Sequence, residues 1–200
     1  TLNERGMDLS ISDLLKNYIF SKADKEDLKS IQTTWSKMTS VLNQINITQF
    51  LRHYWLAKFE KVTEKKLYEK IKRHLQNESV YNFVQDLYEH AVLYINLLQP
   101  TTTDWKDKKT YESLQNLNIL NYKAAYPVLL AGHKKFNEQN FRTLVTSSEK
   151  FIFKYVTIAD HSPSDLENVF YEICKKIRSN SDGSIDAILD FMRKNSPDKL

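Results

Sequence analysis

Hydrophobic residues recur at intervals of three and four positions along most of this 200-residue chain, which places them on one face of an α-helix. No stretch alternates convincingly between hydrophobic and polar residues, the pattern that would indicate a half-buried β-strand. The pattern therefore predicts an all-α protein, folded as an irregular multi-helix bundle of about nine to ten helices.

The second predicted helix has the most regular hydrophobic face. Six positions form this seam: Leu28, Ile31, Trp35, Met38, Leu42 and Ile45. Because the positions alternate between spacings of three and four, they form a heptad pattern suited to packing lengthwise on another helix. If the seam is exposed, it favours a scaffold that binds a partner protein. If it is buried inside the chain, that interpretation loses its main support.

Polar residues mark the ends of several predicted helices. Ser10, followed by Asp13 at the third position, forms a capping box that predicts the start of the first helix. A turn is predicted at three asparagines, Asn116, Asn118 and Asn121. We expect a single helical domain over residues 1–200, and the polar run near 100–105 is the best candidate for a subdomain break.

The composition excludes several classes of protein. The chain has only 3 glycines and 4 prolines, whereas hairpins, Rossmann turns and phosphate-binding loops all require glycine. A β-rich protein or a P-loop enzyme is therefore disfavoured. The single cysteine, Cys174, excludes an intramolecular disulfide and a multi-cysteine metal site, and its surroundings predict a small, half-buried apolar residue.

The chain shows neither a signal peptide nor a run of about 20 apolar residues that would span a membrane. We therefore expect a cytoplasmic protein with no membrane partner. The opening Thr1-Leu2-Asn3 has the character of mid-domain sequence, and we expect the chain to be a fragment of a longer protein.

No catalytic constellation is evident in the sequence. None of the 5 histidines has a second ligand at the spacing of a known metal motif, and neither a nucleophile elbow nor a P-loop occurs. Scattered carboxylates such as Glu60 and Glu64 have the pattern of solvated charges. We therefore predict no catalytic residues, no metal site and no bound cofactor in this chain.

The segment just before the first helix could bind an anion. Gly6 permits a sharp turn, Arg5 can grip a phosphate with two hydrogen bonds, and a helix N-terminus favours negative charge. The alternative is a plain turn and helix cap, with Arg5 paired to a carboxylate. Residue types alone favour this alternative.

A second candidate is the basic segment 52–73. Its eight cations are Arg52, Lys58, Lys61, Lys65, Lys66, Lys70, Lys72 and Arg73. With only three anions the segment carries +5, more than the +4 of the whole chain, and Tyr54, Trp55 and Tyr68 interleave with the charges. Such a concentration of positive charge attracts the phosphates of DNA or RNA. The alternative is a solvated helix with Glu–Lys pairs, although several of its four-residue spacings join like charges.

The first seventeen residues contain the most specific motif. It runs through Leu2-Asn3-Glu4-Arg5-Gly6, Leu9 and Asp13-Leu14-Leu15-Lys16-Asn17. This motif resembles the N-terminal-domain family of GmrSD-type restriction endonucleases, ParB-like proteins of modification-dependent (type IV) phage-defence systems. Weaker similarities follow in the family's order: Phe50-Leu51-Arg52-His53-Tyr54-Trp55, Tyr126-Pro127-Val128-Leu129-Leu130 and Phe151-Ile152-Phe153-Lys154-Tyr155, with Lys154 where arginine is expected.

The resemblance implies a place for this chain within a larger protein. Family members carry a DGQQR-type motif in a ParB-like core linked to nucleotide binding and hydrolysis, and many members or their partners carry a His-Asn-His-type nuclease domain; neither motif occurs here. The chain would then be the helical region after the ParB-like core, with Asn3, Arg5 and Gly6 at the edge of the nucleotide pocket. The parent would use a nucleoside triphosphate with a divalent metal, and its core and nuclease domain or subunit would be partners.

Two hypotheses of different classes follow. The leading one is the helical region of a nucleotide-dependent, modification-sensing phage-restriction protein, which contacts DNA or relays nucleotide state. In this hypothesis the candidate contacts are Arg52, Lys58, Lys61, Lys65, Lys66, Lys72 and Arg73. The alternative is a helical protein–protein interaction scaffold with no nucleic-acid role, supported by the seam of the second helix.

Overall fold

The structure, a computed structural model, describes residues 10–155, 163–180 and 184–196. Within these ranges the chain forms ten α-helices and no strand, which confirms the predicted all-α bundle. The helices are α1 Ile11–Lys22, α2 Leu28–Leu42, α3 Ile47–Lys58, α4 Glu64–His74, α5 Val80–Leu98, α6 Lys108–Leu120, α7 Ala125–Lys135, α8 Glu138–Phe153, α9 Pro163–Ser179 and α10 Asp186–Lys194.

The chain divides into two compact units. The first comprises Thr1–Arg52 and Val62–Val92, and the second comprises His53–Lys61 and Leu93–Leu200. The division therefore falls within α3, between α3 and α4, and within α5. The polar run near 100–105, which the sequence offers as a subdomain break, lies within the second unit between α5 and α6.

In the first unit, α1 packs against both α2 and α4. Leu15 and Ile19 of α1 have no exposed surface. Towards α2, the rings of Phe20 and Trp35 meet edge to face with their centroids 6.4 Å apart. Burial of this hydrophobic stripe against two helices holds α1 in place, since each fully buried side chain contributes about 1.5–3 kcal/mol.

The heptad seam of α2 lies in the interior. Four of its residues, Ile31, Trp35, Met38 and Leu42, are buried, and the two at its ends, Leu28 and Ile45, are half-buried. The neighbouring Thr34 accepts a hydrogen bond from the Gln85 side chain of α5 at 3.0 Å. The seam is thus part of the chain's own core, and the scaffold hypothesis loses its main support.

In the second unit, α7 packs against α8 and α9, while α6 packs against α8. Six consecutive residues of α7, Ala125 to Leu130, are buried, as expected of a helix covered on all sides. Gly132 follows them, and the absence of a side chain there allows Leu144 of α8 to lie directly against the helix backbone.

The structure confirms some of the helix ends that the sequence predicts. The Ser10 hydroxyl accepts a hydrogen bond from the Asp13 main-chain N–H at 3.2 Å, which confirms the predicted start of α1. The predicted turn is correct at Asn121, which ends α6 in the left-handed region with φ of 53°. Asn116 and Asn118 instead lie within α6. The Asn118 side chain donates to the Leu97 carbonyl at 3.1 Å, so a tertiary contact replaces the local turn.

Candidate nucleic-acid interface

Helix α4 separates its charges from its hydrophobic residues. Leu67 and Ile71, one helical turn apart, have no exposed surface and anchor the helix in the first unit. On the remaining surface, Lys65, Lys66 and Arg73 are all exposed. We call these three residues the basic face. Because the buried anchors fix the rotation of α4, the three cations are held on the solvent side of one rigid element.

The three cations of the basic face lie beyond ion-pair distance of the neighbouring carboxylates that the structure describes. Within the described part of the chain, no carboxylate forms an ion pair with Lys65, Lys66 or Arg73. Glu69 lies four residues from both Lys65 and Arg73, the spacing of a helical ion pair, yet neither pair forms. Arg73 also belongs to the last turn, where cations interact favourably with the helix dipole. The cations are therefore available to an external anion.

The other lysines of α4 are less exposed. Lys70 and Lys72 are both half-buried. The Lys72 ammonium lies 5.9 Å from the ring centroid of Tyr18 on α1 and 5.8 Å from that of Tyr68 on α4. These two rings meet edge to face, 6.4 Å apart at an interplanar angle of 83°. We call Tyr18 and Tyr68 the tyrosine pair.

Two cations of the segment belong to the second unit and have contacts there. The Lys58 ammonium lies 5.6 Å from the ring centroid of Tyr54. Lys61 donates a hydrogen bond to the Asn168 side chain of α9 at 2.7 Å and lies 6.0 Å from the Tyr171 ring. Lys61 is thus tied to a helix more than 100 positions away in the sequence. Arg52, by contrast, is exposed on α3 within the first unit.

The nucleotide-pocket candidates Asn3, Arg5 and Gly6 lie outside the described residues and stay predictions. Leu2, Glu4 and Leu9 of the same motif also lie outside the described residues, whereas Asp13 to Asn17 lie on α1. Leu15 is buried, whereas Asp13, Lys16 and Asn17 are exposed. Since α1 packs against α4, the motif-bearing helix and the basic face belong to adjacent elements of one unit.

A polar cluster around two buried tyrosines in the second unit joins two of the weaker motifs. The Tyr94 hydroxyl lies 2.8 Å from Nδ1 of His53, and the Tyr126 ring lies 5.6 Å from that of Tyr94. The Tyr126 hydroxyl donates to the Asn118 side chain. Burial raises the pKa of Tyr126 to about 12 and that of Tyr94 still further, so both hydroxyls stay protonated and act as hydrogen-bonding groups of the core.

The rest of the described structure offers few groups that could react or bind a metal ion. Cys174 has no exposed surface, and burial raises the pKa of its thiol to about 12, so it is an unreactive core residue. In the described ranges, no three histidine, cysteine or carboxylate side chains lie close enough together to hold a metal ion. None of the helices described is long and apolar enough to cross a membrane.

Comparison with models of known protein families and with curated proteins finds no match for this chain.

Proposed function

We propose that this chain binds nucleic acid through the basic face of α4, without sequence preference, as the helical region of a nucleotide-dependent, modification-sensing restriction protein. The observation that carries the nucleic-acid contact is the exposure of Lys65, Lys66 and Arg73 on one anchored helix with no carboxylate partner among the described residues. Lysine and arginine at such a surface bind backbone phosphates, which carry no sequence information.

The restriction assignment is supported by the opening motif and by the position of α1. In this proposal the parent binds a nucleoside triphosphate with a divalent metal in a ParB-like core, and a nuclease domain or subunit cuts the DNA. Asp13 to Asn17 lie on α1, which packs against α4. A change at the nucleotide-binding end of α1 would then be transmitted directly to the helix that contacts DNA.

The competing hypothesis is a protein-binding scaffold with no nucleic-acid role. Its best evidence in the sequence was the α2 seam, and four of those side chains are buried in the chain. Because a buried seam cannot receive a partner helix, no surface feature of α2 now favours the scaffold.

Removal of the basic face tests the nucleic-acid contact. The triple variant Lys65→Gln, Lys66→Gln and Arg73→Gln is compared with the parent for binding to a fluorescent duplex over a range of salt concentrations. We expect a parent Kd of about 10⁻⁴–10⁻⁶ M that weakens steeply with salt. The slope of log K against log salt should fall by about 3 in the variant, because each phosphate that a cation neutralises contributes about 0.9 to that slope.

A matched control separates this surface from net charge. Lys25, Lys29 and Lys37 are also exposed and belong to the first unit, but they lie on α2 and the turn before it. Their replacement by glutamine changes the net charge equally and should leave most of the salt slope in place. Equal losses in the two triple variants would refute a localised contact. Unchanged binding in the α4 variant would refute the proposal and favour the scaffold.

A further inference from the structure

We propose that the tyrosine pair beside the basic face is a stacking platform for an unpaired base, so that single-stranded nucleic acid is the preferred ligand of this surface. The inference rests on the proposed function, because it adds a base-binding element to the same phosphate-binding helix. Three observations support it: the partial exposure of the two rings, the ammonium group that lies over them, and the spacing of Tyr68 from the lysines of α4.

The first observation is that the two rings are only half-buried. Tyr18 belongs to α1 and Tyr68 to α4, and both retain part of their surface towards solvent. The Tyr18 hydroxyl donates to the main-chain oxygen of Lys72 at 3.4 Å, which ties the ring of one helix to the backbone of the other. The pair is thus positioned by tertiary structure before any ligand arrives.

The second observation is that a cation already lies close to both rings. The Lys72 ammonium lies within 6 Å of each ring centroid, the range of a cation–π contact. At a partly exposed site this contact is weak, whereas a base that stacks on an aromatic ring covers a larger area and is held more strongly. A base can therefore displace Lys72, whose flexible side chain is then free to bind the adjacent phosphate.

The third observation is the spacing along α4. Tyr68 lies three residues after Lys65 and four residues before Lys72, so the backbone of each lysine lies about one helical turn, or about 5.4 Å along the helix axis, from that of Tyr68. A strand whose base stacks on Tyr68 would thus have cations next to its backbone on both sides of that base. Alternation of aromatic rings with cations is the arrangement that binds single strands without sequence preference.

Duplex DNA cannot use the tyrosine pair in this way. Its bases are paired and stacked on each other, and only their edges are accessible in the grooves. The phosphates of a duplex are nevertheless available to Lys65, Lys66 and Arg73. The inference therefore predicts that a change at the rings affects single strands selectively, while a change at the basic face affects both ligands.

The experiment compares binding of a fluorescent oligothymidine and of a hairpin duplex with the same number of phosphates. Three variants are used: Tyr68→Leu, Tyr68→Phe and, as a control, Tyr81→Leu. Tyr81 is a half-buried tyrosine on α5 in the same unit. Tyr68→Leu should weaken oligothymidine binding about 5- to 150-fold, the loss expected when one base loses the aromatic side chain on which it stacks. Duplex binding should change less than about 2-fold.

Tyr68→Phe keeps the ring and should bind the single strand as the parent does, and Tyr81→Leu should have no effect on either ligand. Thermal melting of each variant establishes the folded fraction at the assay temperature, and binding is compared at a temperature where all are folded. If Tyr68→Leu weakens both ligands equally, or neither, the stacking platform is refuted. If the triple variant of the basic face also binds both ligands as the parent does, the proposed function fails as well.

Discussion

Replacement of Gly132 by alanine tests how tightly α7 and α8 are packed. A Cβ atom built at this position would lie 2.1 Å from Cδ2 of Leu144 and 3.5 Å from Cδ2 of Phe136. Carbon atoms in contact prefer a separation of about 3.5–4.0 Å, so the first distance requires a movement of more than about 1 Å. Leu144 is completely buried, and close-packed surroundings leave its side chain little space to move into.

Two opposing effects set the size of the change. Alanine is favoured over glycine within a helix by about 1 kcal/mol. Overpacking of a buried site costs about 1–3 kcal/mol, and the Leu144 clash places this site towards the upper part of that range. We therefore expect Gly132→Ala to lower the free energy of unfolding by about 1–2 kcal/mol. In thermal unfolding each kcal/mol corresponds to a fall in Tm of about 2–4 °C for a chain of this size.

A double-mutant cycle in urea assigns the loss to Leu144. Leu144→Ala alone should cost about 2–5 kcal/mol, because it leaves a cavity in the core. In that background the added methyl group of Gly132→Ala has room, so the second substitution should be neutral or stabilising by about 1 kcal/mol. The reasoning is refuted if Gly132→Ala stabilises the parent chain, or if it costs the same amount in both backgrounds.

Two further predictions concern buried side chains of α8 and α9. Ser148 has no exposed surface, and its hydroxyl has no hydrogen-bond partner among the described residues, so Ser148→Ala should raise the free energy of unfolding by about 1 kcal/mol. Ser147→Ala, at the half-buried neighbour, is the control, and equal gains in urea unfolding would contradict the assignment. Because burial raises the pKa of the Cys174 thiol to about 12, its alkylation by iodoacetamide should stay slow as the pH rises to mildly alkaline values and become fast only on unfolding. Equal rates in the folded and unfolded chains would show that this thiol is accessible.

Local sequence patterns determined most of the helices and which side of each helix is buried. The capping box at Ser10 marks the start of α1, and the four-residue spacing of Leu67 and Ile71 places both on the buried side of α4. Both features depend on residues within one or two helical turns, which is why a single sequence reveals them. The exposure of Lys65, Lys66 and Arg73 follows from the same periodicity. The nucleotide-pocket motif before α1 stays a prediction.

Only the tertiary structure decided what each helix packs against. The periodicity of the α2 seam indicates a buried face, but it does not distinguish the chain's own core from a partner protein. The basic segment is continuous in sequence, yet Lys61 binds Asn168 in the second unit while Lys65 belongs to the first. The tyrosine pair joins residues 50 positions apart, Tyr18 and Tyr68, which no local pattern connects. Such contacts depend on how distant helices meet, and hydrophobic spacing within a single helix carries no information about that.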